Sequence, residues 1–274
     1  MTAEVPYAEV AGDPVAHSKS PWIHKFWLGK LGFNADYRAV RVPAGGLGDY
    51  LAARRHDPAW RGCNLTMPLK VEGFAAADRR TREAEGTGAV NCIAPGAEGL
   101  TGGNSDVAGV KAVLGRGGRT EAVCIIGAGG AARAAAYAFR DDKLRIVARD
   151  PAKARASLGA IAPAIAFYGE AEAEAAFAGA QAVIQASSAG MAAAEPLSPR
   201  VLEALAALSP DCRALEMVYA PLRTPFLQRV DELGHAWRDG LDMLVAQARE
   251  AFALFFGTEA PREHDTALRE LLTR

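Results

Sequence analysis

Short apolar runs alternate with stretches of helical spacing along most of the chain. Residues 7–13 (YAEVAGD) read as a strand ending in a turn. Ser20-Pro21 then opens a helix, with Ser20 as N-cap and Pro21 at the first helical position. Trp22, Ile23, Phe26 and Trp27 give that helix its apolar face. Strands are predicted at 35–42, 61–68 and 89–95, with a helix at 46–56. This alternation is that of a parallel α/β sheet. A second such pattern starts near residue 106. It has a helix after Asp106, a glycine-rich turn at 115–120, a buried-strand signature at Cys124-Ile125-Ile126, and strands at 144–150, 181–188 and 213–220. The Ala/Glu-rich stretch 151–182 reads as helix with one short strand, its 170–180 tract a solvated helix. Leu241, Leu244, Val245, Ala248, Phe252 and Phe255 place one face on a final long helix over 240–257.

At 274 residues the chain has room for two domains. Half of its residues are hydrophobic, enough for a sizeable core, and 31 basic residues against 32 acidic ones give a net charge of −1. That balance, without a Lys/Arg stripe, excludes a generic nucleic-acid binder. No run of about 18 apolar residues is present to span a membrane, and the first residues lack a signal-peptide pattern, so the expected location is cytoplasmic. Cys63, Cys92, Cys124 and Cys212 form no C-x-x-C pair and read as buried thiols; the five histidines are scattered, and no metal is expected.

The most informative stretch follows the apolar run Cys124-Ile125-Ile126. Gly127-Ala128-Gly129-Gly130-Ala131-Ala132 stands between a predicted strand and a predicted helix. Gly127 permits a tight turn, Gly129 lets the backbone approach a diphosphate, and Ala132 is small enough for helix and strand to pack closely. The diphosphate would sit at the helix N-terminus. At the end of the next strand, Ala148 occupies the position where an acid would hold a ribose hydroxyl, while Arg149 and Lys153 suit a 2′-phosphate. This favours NADP. A register shifted by two would make Asp150 the ribose acid and NAD the cofactor.

In the N-terminal half, four polar clusters stand at predicted strand ends: Ser18-Lys19-Ser20, Asn64-Leu65-Thr66 through Lys70, Val90-Asn91, and Gly103-Asn104-Ser105-Asp106. Ser20 and Asp106 could each serve as a helix cap. Together the clusters suit a small ligand rich in hydroxyl groups, because hydroxyl and amide side chains both donate and accept.

The motifs GDPVAHSKSPWIH, NLTMPLK, GAVN, GGNSD, GAGGAARA, EMVYAPLRTP and GLDMLVAQA, in this order, resemble those of the shikimate dehydrogenases, from Gly12 to about Gly257. The resemblance implies an oxidoreductase that reversibly reduces 3-dehydroshikimate to shikimate with NADPH, on the route to aromatic amino acids. It implies an α/β substrate domain at 1–105 and 240–274 and a Rossmann-like, doubly wound parallel-sheet nucleotide domain at 106–239. Ser18 and Ser20 match the pair that binds the substrate carboxylate, with Tyr219 nearby. Thr66, Asn91, Asp106 and Gln247 match the groups on the ring hydroxyls, and Lys70 with Asp106 matches the catalytic pair. Gly127, Ala128, Gly129, Gly130 and Ala131 match the diphosphate loop, Arg149 and Lys153 the 2′-phosphate reader, and Met217, Gly240 and Met243 the nicotinamide lining. The implied partners are small molecules only, on a monomer or homodimer.

The sequence departs from the family at Ala148, Ser105, Cys92 and Gln185, where Asn, Thr, Thr and Asn are usual. These leave a second reading, an NAD-using quinate/shikimate dehydrogenase; Ser20, where quinate users often carry threonine, favours shikimate. For ketone reduction, Lys70 would act as proton donor or as electrostatic stabiliser of the developing alkoxide.

Overall fold

The computed structural model describes residues 4–115, 122–191 and 194–274. The described chain divides into two units, residues up to Ser105 with Gln247–Arg274, and Asp106–Ala246. The sequence reading placed the return at residue 240; by this division residues 240–246 belong to the second unit.

The first unit is built on six strands: β1 Tyr7–Gly12, β2 Asp36–Arg41, β3 Trp60–Leu65, β4 Arg79–Arg80, β5 Cys92–Gly96 and β6 Gly99–Gly103. Their order is β2-β1-β3-β5-β6-β4. β1 runs parallel to β2 and β3, but β5 is antiparallel to both β3 and β6, which corrects the all-parallel expectation. The reason is the short connection from Gly96 to Gly99, a hairpin too short to carry the chain back for a parallel strand. Its helices are α1 Ser20–Lys30, α2 Leu47–Arg54, α3 Lys70–Ala76 and α4 Arg82–Thr87. Alternate residues of β1 enter different cores. Tyr7 and Ala11 pack with Leu47, Leu51 and Trp60, while Ala8 and Val10 pack with Tyr37, Ala251 and Phe255. Both faces are buried, so the strand reads as continuously apolar except for Glu9. Glu9 is 1% exposed; Tyr50 donates to it at 2.7 Å, and Arg54 binds both its oxygens at 2.9 and 3.1 Å.

The second unit is a six-stranded parallel sheet of β7 Ala122–Ile126, β8 Lys143–Val147, β9 Ile165–Tyr168, β10 Ala182–Gln185, β11 Arg213–Glu216 and β12 Ala236–Arg238, ordered β12-β11-β10-β7-β8-β9. The chain winds one way through β7, β8 and β9, then returns to β10 beside β7 and continues outward. The switch point, where α/β sheets bind ligands, therefore lies between β7 and β10. Its helices are α5 Ser105–Leu114, α6 Gly130–Ala138, α7 Pro151–Leu158, α8 Ala173–Phe177, α9 Pro199–Ala204 and α10 Pro225–Glu232. Val123 and Ile125 face one core, Cys124 and Ile126 the other. The long helix α11 Gly240–Phe256 starts in this unit and ends in the first, which also holds α12 Asp265–Thr273.

Several local expectations change. Ser20 is the first residue of α1 rather than its cap, and Asp106 lies inside the first turn of α5. Trp22 is 62% exposed; the buried face of α1 is Ile23, His24, Trp27 and Leu28. The strand expected at 89–95 begins at Cys92. The Ala/Glu tract is not wholly solvated, since Ala173, Ala176 and Phe177 are buried. The turn expected at 115–120 lies, from residue 116 onward, outside the described residues. Strand β6, GLTGG, escaped notice because it lacks β-branched apolar residues at alternate positions. All four cysteines are buried. Among the described residues no helix is long and apolar enough to cross a membrane, and no His/Cys/Asp/Glu group could hold a metal.

Candidate active site

In the first unit, the antiparallel β5 determines what meets at one edge of the sheet. Its first residue, Cys92, pairs with Asn64 near the end of β3 and with Gly103 at the end of β6. The segment before β5 therefore lies beside the segments after β3 and β6. This brings Asn91, Thr66 and Ser105 to one edge, together with the end of β1. Thr66 donates its N–H to the Ala11 carbonyl at 2.9 Å, and its own carbonyl accepts from Leu69 N–H at 2.8 Å. Gly12 is required beside it: a Cβ there would collide with Thr66 Cγ2 and stand 2.9 Å from the Met67 carbonyl. Lys70 begins α3, and its carbonyl accepts the Val90 N–H at 2.8 Å, which ties its backbone to the turn carrying Asn91. Lys70 is half-buried.

Asn91 and Gln247 are linked through Ser105. The Asn91 Oδ1 accepts the Ser105 N–H at 2.7 Å, and Asn91 Nδ2 donates to Ser105 Oγ at 3.0 Å. Ser105 Oγ donates in turn to Gln247 Oε1 at 3.2 Å. All three residues are buried. A second amide, Asn104, donates to Thr87 Oγ1 at 3.0 Å and to the Ala89 carbonyl at 3.1 Å, which fixes the turn before Asn91. Ser18 and Ser20 are joined locally: Ser18 Oγ accepts the Ser20 N–H at 3.3 Å. Between them, Lys19 Nζ donates to the Leu272 carbonyl at 2.7 Å and anchors the segment to α12.

In the second unit, the loop after β7 meets the loop after β10. Gly127 has φ +114°, and a Cβ on it would stand 2.9–3.0 Å from Ser187 backbone atoms. Only glycine suits that conformation and that approach. Gly129 is the N-cap of α6 with no side chain capping the helix, and a Cβ on it would meet nothing within 4 Å. Gly130 and Ala131 open the helix, and Ala132 is fully buried. Ala128 is held through its carbonyl, which accepts from Ser157 at 3.0 Å. Beyond β8, Asp150 caps α7: its Oδ1 accepts the Lys153 N–H at 3.0 Å, and its Oδ2 stands 3.6 Å from Lys153 Nζ. That contact with its own helix holds the Asp150 carboxyl below the usual range. Arg149 is exposed at the same strand end.

Met217 follows β11 and donates its N–H to Gln185 at 2.9 Å; Tyr219 stands two residues on, half-buried. Gly240 packs against this loop so tightly that a Cβ would collide with the Val218 carbonyl. Met243 is 4% exposed, in the core. Three residues missed by the sequence reading shape this end. Asp239 caps α11, accepting from the Leu241 and Asp242 N–H groups at 3.0 and 3.1 Å. Glu216 accepts from Thr224 at 2.6 Å and from the Val218 N–H at 2.9 Å; burial pushes its carboxyl up to about 7. Gln185, noted only as a departure, is fully buried and clasps its own loop: its Oε1 accepts the Ser187 N–H at 2.8 Å, and its Nε2 donates to the Ala189 carbonyl at 2.8 Å. The Asp-Gly before the last apolar run was the readable signal for the Asp239 cap. The buried Glu216 gave none.

Residues 10–93 match the model of the shikimate dehydrogenase substrate binding domain, and residues 240–267 that of the shikimate 5'-dehydrogenase C-terminal domain. The chain is 43% identical to the shikimate dehydrogenase (NADP(+)) of Sphingopyxis alaskensis, over 97% of each chain. It is 36% identical to the protein of the same name from Methylobacterium radiotolerans, over 94% of this chain and 93% of that one. The crystal structure of shikimate 5-dehydrogenase from Thermus thermophilus, in complex with NADP(H) and shikimate, is similar at a TM-score of 0.83, with 30% identity over 98% of this chain and 99% of that chain. An identity of 43% across almost the whole length places this chain in the shikimate dehydrogenase family.

Proposed function

We propose that this protein reversibly reduces 3-dehydroshikimate to shikimate with NADPH. The observation that carries the reading is the Asn91–Ser105–Gln247 chain beside the turn that ends in Lys70. Linked amides and a hydroxyl present fixed donors and acceptors, as a ring with several hydroxyl groups requires. The relatives named for NADP(+) support the cofactor, and so does Asp150, whose carboxylate is committed to the α7 cap and Lys153. That engagement disfavours Asp150 as a ribose ligand and leaves Arg149 as the reader of a 2′-phosphate. The α6 N-terminus, free of side-chain caps and fronted by Gly127 and Gly129, suits the diphosphate.

When bound, NADPH would provide the hydride that ketone reduction requires. Lys70 delivers a proton to the carbonyl oxygen, and its ammonium offsets the negative charge that grows there. Asp106, directly after Ser105 at the start of α5, orients Lys70 and one ring hydroxyl. Ser18 and Ser20, held to each other, receive the carboxylate, with Tyr219 near it. Thr66, Asn91 and Gln247 bind the remaining hydroxyls. Met217, Gly240 and Met243 shape the nicotinamide end.

The test is a grid of initial rates, with shikimate and quinate each offered to NADP⁺ and NAD⁺. Reduced-nicotinamide absorbance should rise fastest with shikimate and NADP⁺. Faster turnover of quinate, or a preference for NAD⁺, would overturn the assignment.

A further inference from the structure

Behind the substrate site lies a chain of polar groups that the roles above do not use. Tyr37 stands on β2 with no exposed surface. Its hydroxyl donates to Asn64 Oδ1 at 2.6 Å. This orients the Asn64 amide, whose Nδ2 donates to the backbone carbonyl of Asn91 at 3.2 Å. The same carbonyl accepts the Leu65 N–H at 2.8 Å, so both of its acceptor directions are filled. The Asn91 N–H donates to Gly103 at 2.9 Å. The backbone of Asn91 is thus pinned on both sides, and its side chain continues to Ser105 and Gln247.

The Tyr37 ring is itself held. His24 stacks on it at 4.0 Å between centroids, with the planes 7° apart. His24 is fully buried among Trp27, Phe252 and Phe255, and neither ring nitrogen has a hydrogen-bond partner among the described residues. Burial keeps this imidazole neutral, with its pKa lowered to about 3, so it acts as a flat wall rather than as a charge.

We infer that Tyr37 is a positioning residue for ring-hydroxyl recognition: through Asn64 it fixes Asn91, and with it the Ser105–Gln247 pair, without touching the substrate. This rests on the function proposed above. A tyrosine that served stability alone would lower the melting temperature when altered and leave substrate affinity unchanged.

Tyr37→Phe deletes only the hydroxyl and keeps the ring against His24. The KM for shikimate should rise about three- to tenfold, the range of one hydrogen bond, while kcat and the KM for NADP⁺ stay within about twofold. The side-chain amide signals of Asn91 and Gln247, recorded by NMR without ligand, should be displaced, with those of Gln185 unmoved. An unchanged shikimate KM overturns the inference, as does a parallel rise of both KM values. Should the wild-type protein not turn over shikimate, the proposed function falls and the amide signals alone decide: displaced signals uphold the positioning role, and signals identical to wild type end it. If Tyr37→Phe does not fold, Asn64→Asp is held to the same outcomes, because it keeps the acceptor for Tyr37 and removes the donor to Asn91.

Discussion

The two units meet their ligand ends with different materials. In the first, the edge of the sheet is lined by the linked side chains of Asn91, Ser105 and Gln247, with Asn64 on the Asn91 carbonyl and Asn104 on Thr87 and the Ala89 carbonyl. In the second, the corresponding edge is backbone brought close at Gly127 and Gly240, with Gln185 and Glu216 bracing the loops. The difference follows from the ligands. A diphosphate is a diffuse anion that main-chain N–H groups and a helix dipole can hold. A small ring acid is distinguished by where its hydroxyls point, which demands fixed donors and acceptors. The buried carboxylates differ in the same way. Glu9 is neutralised by Arg54, whereas among the described residues Glu216 is met by Thr224 and backbone N–H groups, and burial raises its pKa.

The largest expected effect separates chemistry from both kinds of binding. Lys70→Ala should retain the wild-type circular dichroism spectrum and lose about 10²–10⁴ in kcat, the usual size of an acid/base contribution. Near-normal turnover would remove Lys70 from the mechanism.

A smaller effect sets the buried titratable groups of the two units against each other. His24 in the folded chain resists protonation until about pH 3, whereas in the unfolded chain it takes up a proton near 6.5. Its contribution to stability is therefore lost as pH falls below 6.5. Glu216 works in the opposite sense. The folded chain keeps its proton up to about pH 7, while the unfolded chain releases it near 4.5, so stability is lost as pH rises between those values. Thermal unfolding of Glu216→Gln should thus gain on the wild type as pH rises from about 4.5 to 7, by at most about 3 kcal/mol. In His24→Phe the gain should appear as pH falls from about 6.5. A difference from wild type that does not vary with pH would contradict either assignment.

The contrast between the units also explains what the sequence made legible. The Gly127–Ala132 loop could be read directly, because its signal lies within six consecutive residues between a strand and a helix, with Gly127 answering a local backbone requirement. The strands and helices around it followed from periodicity. The ring-hydroxyl site could not be read this way. Tyr37 and Asn64 are 27 positions apart, and Ser105 and Gln247 are 142 apart, and no local pattern announces such pairs. The strand-end polar clusters singled out Asn91, but only the resemblance to a family singled out Gln247, and neither pointed to Tyr37. The antiparallel turn of β5, which brings these residues to one edge, was hidden by the glycine-rich β6 beside it.

The measurement that tests this division most directly is a crossed pair of KM values. Asn91→Ala and Arg149→Ala would each be assayed with shikimate varied at saturating NADP⁺, and with NADP⁺ varied at saturating shikimate. Asn91→Ala should raise the shikimate KM about tenfold or more and leave that for NADP⁺ near wild type, since it removes a buried group bound to Ser105. Arg149→Ala should do the reverse, through loss of a charge-assisted phosphate contact. If either variant raised both constants together, or Arg149→Ala left the NADP⁺ constant unchanged, the account of two separately built recognition ends would be contradicted.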